Sequence, residues 1–151
     1  MPIDITNPDH HAAIDEAGHC VNARKNGLHI QFITIDVGPF FRVGRMVIGP
    51  VTLVSGANNL LANTEQQVAG TAALLAFGIN PGHQQDVREA ITNVAQTFAD
   101  ADKIVKQTQD KIELKMRQPV WHDAIERVAD HLLVVRTIEE IDADTVIDGL
   151  L

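Results

Sequence analysis

Ala12-Ala13-Ile14-Asp15-Glu16-Ala17-Gly18-His19 carries chemistry on one side and packing on the other. Asp15 and His19 are one helical turn apart, so both side chains leave the same face. Glu16 follows about 100° further round the helix. The stretch looks like the H-E-x-x-H zinc helix with its first position changed. In that pattern two histidines share one ion and the glutamate is general base toward the metal-held water. Here the first ligand position holds Asp15. Ala13, Ala17, Cys20 and Val21 fall at helical spacing on another side, a small-residue apolar stripe suited to close packing against a sheet.

Working outward, Pro8 and Asp9 start this helix, which runs to about residue 26 with Gly27 placed to end it. Residues 30–37 then alternate, with Ile33 and Ile35 against Thr34 and Asp36, as a strand does. Gly38-Pro39 marks a turn, and a second extended stretch over 43–53 is expected to pair antiparallel with the first. Asn63 or Thr64 can cap an alanine- and leucine-rich helix through Phe77, broken by Gly78-Ile79-Asn80-Pro81-Gly82. A third helix is expected from near Gln84 through Ala99, continuing or kinking over 100–115. Pro119 opens an amphipathic helix with Val120, Ile125, Val128, Ala129, Leu132 and Leu133 on its core side. Residues 137–142 read as a connection and 144–151 as a short terminal helix. The expected fold class is mainly α with a small antiparallel β-sheet, one domain over 1–151.

Composition narrows the function. A formal net charge of −8 argues against binding a phosphate backbone, so no nucleic-acid partner is expected. Lys103, Lys106, Lys111, Lys115 and Arg117 are interleaved with Asp102, Asp110 and Glu113, the signature of a solvated helix face. No G-x-x-x-x-G-K-[ST] loop is present. The single cysteine, Cys20, excludes an internal disulfide and fits a reducing, cytoplasmic setting. No apolar run approaches the roughly 20 residues that span a bilayer, and no secretory leader opens the chain, so no membrane partner is expected.

Three blocks together resemble the peptidase domain of FtsH-type zinc metalloproteases, and more closely the short stand-alone FtsH-peptidase-like proteins. Residues 12–19 are similar to the family's A-x-H-E-A-G-H, followed by Phe32-Ile33-Thr34-Ile35 in place of its V-T-I strand. Residues 68–78 resemble its G-G-R-A-A-E-E-L-x-F-G helix, and residues 82–90 its G-A-x-x-D-L-x-x-A-T segment. The tail over 121–151 is similar to the family's last two helices. The likeness implies Glu16 as general base, with Asp15, His19 and Asp86 at the three zinc-ligand positions. It also implies peptide or unfolded protein as substrate, a homo-oligomer by analogy with the family's rings, and edge pairing of an extended peptide on the strand near 32–35.

Asp15 is the departure that matters. Carboxylate oxygen is a permitted zinc ligand, but two aspartates and one histidine make a harder, more anionic site that shifts preference toward oxygen-loving cations. A catalytically inactive pseudopeptidase, kept as a binding or assembly module, is the competing expectation. With no ATPase module in the chain, only peptides or already unfolded chains would serve as substrates. His11, one turn before Asp15, reads as a solvated first-turn histidine, Cys20 as a buried thiol, Trp121 as a packing anchor and His83 as a loop residue.

Overall fold

The computed structural model describes residues 2–36, 45–48, 57–82, 84–139 and 142–151. Its elements in chain order are α1 (Pro8–Lys25), β1 (Ile30–Thr34), β2 (Arg45–Ile48), α2 (Ala57–Ala76), α3 (Gln85–Ala95), α4 (Ala101–Arg117), α5 (Pro119–Val135), β3 (Thr137–Ile138) and α6 (Ala143–Leu150). The chain is mainly helical with a small antiparallel sheet, the class expected from the sequence.

Local signals set most boundaries. Asn7 caps α1 by accepting the Asp9 amide at 2.9 Å, and Asp9 complements the positive end of the helix. Arg24 and Lys25 occupy its last turn, and Gly27 leaves the helix at φ +73°, a conformation glycine adopts without strain. The expected start of α2 at Asn63 or Thr64 is incorrect. The helix begins at Ala57, and the Thr64 hydroxyl donates back to the Leu60 carbonyl at 2.7 Å instead of capping. The expected third helix is two helices, α3 and α4, separated by residues 96–100. The break lets α4 turn back, so that Val94 of α3 and Ala101 and Val105 of α4 all reach Val68 of α2 in a second small core.

The sheet has the order β2-β1-β3, antiparallel throughout. Ile33 stands opposite Met46 on one side and Ile138 on the other. Residues 137–138, expected as part of a connection, form β3, and the Thr34 and Thr137 hydroxyls meet across the pair at 2.8 Å. Arg136, at φ 67°, turns the chain from α5 into β3 and hydrogen-bonds Asp36 at 2.7 Å. β1 is therefore the central strand of the described sheet, and its backbone is already paired on both sides at 33–34. This corrects the expectation that a peptide pairs there. The Gly38-Pro39 turn and the rest of the second stretch, apart from 45–48, lie outside the described residues.

The small-residue stripe of α1 is buried, as its spacing required, but α1 packs chiefly on α2 and α5 and only lightly on the sheet. Gly18 makes this approach close. A Cβ there would fall 2.5 Å from the Ala73 Cβ and 2.8 Å from the Ala69 carbonyl oxygen. Ile125, Val128, Ala129 and Leu132 of α5 are buried and Leu133 is half-buried, whereas Val120 is 71% exposed and is no core residue. Cys20 is buried and Trp121 packs on the core edge beneath Lys25. The mixed charges of α4 are solvated, with Lys106 and Asp110 paired at 2.7 Å. No helix among the described residues is long and apolar enough to cross a membrane.

Candidate metal centre

Three helices bring the predicted residues to one cavity. α1 supplies Asp15, Glu16 and His19, α2 lays Thr71 beside them, and the first turn of α3 supplies Asp86. The cavity, about 370 Å³, is also lined by Gln84, Gln85 and Glu89.

His19 is oriented from behind. Its Nδ1 donates to the Gln66 backbone carbonyl at 2.9 Å. The Gln66 side chain in turn donates to the His19 carbonyl at 3.0 Å and accepts from Asn22 at 2.8 Å. This leaves Nε2 facing Asp15, with 3.3 Å to its Oδ1. A histidine held by a carbonyl at one ring nitrogen and free for a cation at the other is the arrangement metal-ligating histidines adopt. Burial opposes a charge on the ring. The hydrogen bond and charge of Asp15, helped by Glu16 and Asp86, outweigh it and raise the His19 pKa to about 9. Without a metal, this favours a protonated His19 ring against the Asp15 side chain.

Glu16 is 4% exposed, and its Oε2 has no hydrogen-bond partner. Burial, with the neighbouring charges of Asp15 and Asp86, lifts its pKa to about 8 against the opposing pull of His19. Asp86 accepts from the Thr71 hydroxyl at 2.7 Å and from the Val87 amide at 2.9 Å, both at Oδ1. Its Oδ2 is buried without a partner. Burial raises its pKa also, opposed by the Thr71 bond.

Gly70 explains how α2 can lie against this pair. A Cβ at residue 70 would stand 1.8 Å from Asp15 Oδ1 and 2.5 Å from His19 Nε2. Sequence reading missed Gly70, Gln66 and Thr71. Only their regular spacing on α2 hints that they share the face turned to α1, and an alanine-rich helix gives that hint no chemistry.

The donors match a divalent cation in kind: one imidazole held at its other nitrogen, the Asp15 carboxylate beside it, and one buried carboxylate oxygen, Asp86 Oδ2, with nothing to accept from. Their spacing is not that of a closed site. Asp15 and His19 are adjacent, but the donors of Asp15, His19 and Asp86 do not all lie within 4.8 Å of one another. Among the described residues the set that meets this limit is His122, Asp123 and Glu126 on α5, where His122 also stacks on Phe77 with ring centroids 3.9 Å apart. His11 turns back to the Ile5 carbonyl and does not join Asp15. His83 lies outside the described residues.

No protein-family model and no curated protein sequence matches the chain. The functional reading therefore rests on this cavity and on the resemblance of the motifs that line it.

Proposed function

We propose that the chain is a zinc-metallopeptidase-like protein of the FtsH peptidase type, homo-oligomeric by the same resemblance and cytoplasmic by its single buried cysteine. Asp15, His19 and Asp86 would hold the ion. Zinc, when bound, would supply Lewis-acid activation of a peptide carbonyl and of water. One observation supports this most: Glu16 Oε2 and Asp86 Oδ2, both buried and unpartnered, belong to residues that line the same cavity as His19. Unsatisfied buried carboxylate oxygens are costly, and they are kept where a cation or proton transfer needs them. Glu16 is then the group that takes and returns a proton at Oε2, and a raised pKa suits it to both steps near neutral pH.

A second reading, the inactive pseudopeptidase, is supported by the Asp15–His19 ion pair. That pair satisfies the imidazole without any metal. Metal analysis separates the two. About one equivalent of zinc in protein purified without chelator, lost in Asp86→Ala, supports the metallopeptidase. No zinc even after reconstitution supports the pseudopeptidase. Hydrolysis of unfolded casein, compared with Glu16→Gln, then tests catalysis.

A further inference from the structure

Away from the cavity, α5 carries His122, Asp123 and Glu126 on its first two turns. Helix geometry spreads them over an arc of about 100°, with Glu126 between the other two. Each offers a donor atom, and the three atoms lie within 4.8 Å of one another. Asp123 is exposed, while His122 and Glu126 are half-buried. Neither carboxylate pairs with a lysine or arginine among the described residues. The cations close to them in sequence or on the same helix end are engaged elsewhere. Arg127 turns to the Leu150 carbonyl at 2.8 Å, and Lys25 lies over the Trp121 ring at 5.0 Å. Two carboxylates this close repel each other until a cation stands between them.

A separate contact fixes the imidazole. The His122 ring stacks on Phe77 with centroids 3.9 Å apart and planes 15° from parallel. Phe77 is itself tied to the end of α2, its amide bonded to the Ala73 carbonyl at 3.0 Å. The stack holds the ring by its face and leaves its nitrogens at the edge, where neither makes a hydrogen bond among the described residues. Much of the ordering that ligation demands of His122 is therefore already in place.

We infer that His122, Asp123 and Glu126 form a second metal site, for a borderline divalent cation such as zinc or cobalt, with water completing the coordination. The inference is independent of the cavity and holds for either function proposed for it. One imidazole with two carboxylates suits these ions better than magnesium or calcium, which take all-oxygen shells. An ion about 2.1 Å from each donor sets tetrahedral neighbours about 3.4 Å apart. The donors stand at most about 1.4 Å beyond that, a gap that rotation of the Asp123 and Glu126 side chains closes. A site this open exchanges its ion with solvent, so it fills on titration and empties on dialysis.

The chain carries its own reporter, because its one tryptophan, Trp121, adjoins His122. Cobalt(II) bound there should quench the indole emission. The test titrates full-length protein with cobalt(II) and reads Trp121 fluorescence. Saturable quenching is expected in the native chain and equally in Asp86→Ala. His122→Phe keeps a ring on Phe77 and removes the donor, and Glu126→Gln removes a charge at the surface; each should weaken the midpoint by about tenfold or more. Zinc should then restore the emission by displacing cobalt, and magnesium at the same concentration should not. Quenching that survives both α5 substitutions, or that disappears in Asp86→Ala, overturns the inference by placing the ion elsewhere. Magnesium that displaces cobalt as well as zinc does overturns it too, leaving only a diffuse acidic patch.

Discussion

His19 is fixed to the backbone of Gln66 through a 2.9 Å hydrogen bond to its carbonyl oxygen. The contact ties the imidazole ring to α2, not to α1, the helix that carries it. Gly70 sits one turn further along α2, directly under Asp15 Oδ1 and His19 Nε2. In most helices glycine to alanine stabilises by about 0.5–1 kcal/mol. Here we predict the reverse. Gly70→Ala should destabilise the fold by roughly 1–3 kcal/mol, because the methyl meets the ion pair and the helices must part. It should also abolish zinc uptake. Denaturant unfolding and metal titration check both, and an unchanged or raised midpoint would show that α2 does not lie where it is placed.

Gln84 gives the opposite case. It precedes α3 at φ 49°, ψ 47°, a left-handed conformation that costs a non-glycine residue about 1–2 kcal/mol, and its side chain makes no capping bond. Such strain is retained where the side chain has a use, and this one lines the cavity. Gln84→Gly should raise stability by about 0.5–1 kcal/mol after the entropy cost of glycine is subtracted. Zinc affinity should be unaffected, while peptide affinity should fall. A loss of stability in thermal unfolding would contradict the strain.

How much of this was legible beforehand follows from which interactions are local. The first helix, its glycine stop and the antiparallel pairing of the first two strands were readable because caps, turns and alternation act over a few residues. The chemistry of Asp15, Glu16 and His19 was readable for the same reason, since one helix carries all three. The start of α2 was not, because Thr64 can serve its hydroxyl equally by capping or by bonding one turn back, and only the finished helix decides. The two-residue strand at 137–138 exists only through its partners on β1, which are a hundred positions away in the chain. Thr71, which meets Asp86 across two helices, is invisible to any local pattern.

That Thr71–Asp86 contact makes its own prediction. Thr71→Val keeps the shape and removes the 2.7 Å bond that orients the carboxylate. Hydrogen bonds of this kind behind a metal ligand are worth about 10–100-fold in metal affinity. Thr71→Val should weaken zinc by that amount with Asp86 still present, whereas Asp86→Ala should abolish the site. Asp15→His should strengthen zinc binding, restoring the softer donor. If competition with a chromophoric chelator gave the same zinc affinity for Asp15→His as for the native chain, the pocket assignment would be wrong.

The last prediction concerns pH, and its sign follows from Glu16 and His19, with Asp86 raised in the same direction. In the metal-free fold Glu16 keeps its proton up to about 8, against 4.5 for the ordinary carboxyl, and His19 keeps its proton up to about 9, against 6.5. Between these limits the folded chain binds more protons than the unfolded one, so stability must fall as pH rises. The loss begins above about 4.5 through Glu16, steepens above about 6.5 when His19 joins, and is complete above about 9. Thermal unfolding in chelator across this range should show a Tm that declines throughout, the stability lost being on the order of a few kcal/mol in total. Glu16→Gln should shallow the decline from its acid end, since the amide has no proton to hold back. Zinc needs the same atoms deprotonated, so the stabilisation it gives should grow with pH, opposite to the metal-free trend. A Tm that rises with pH in chelator would mean that Glu16 and His19 do not share a buried, acid-rich cavity.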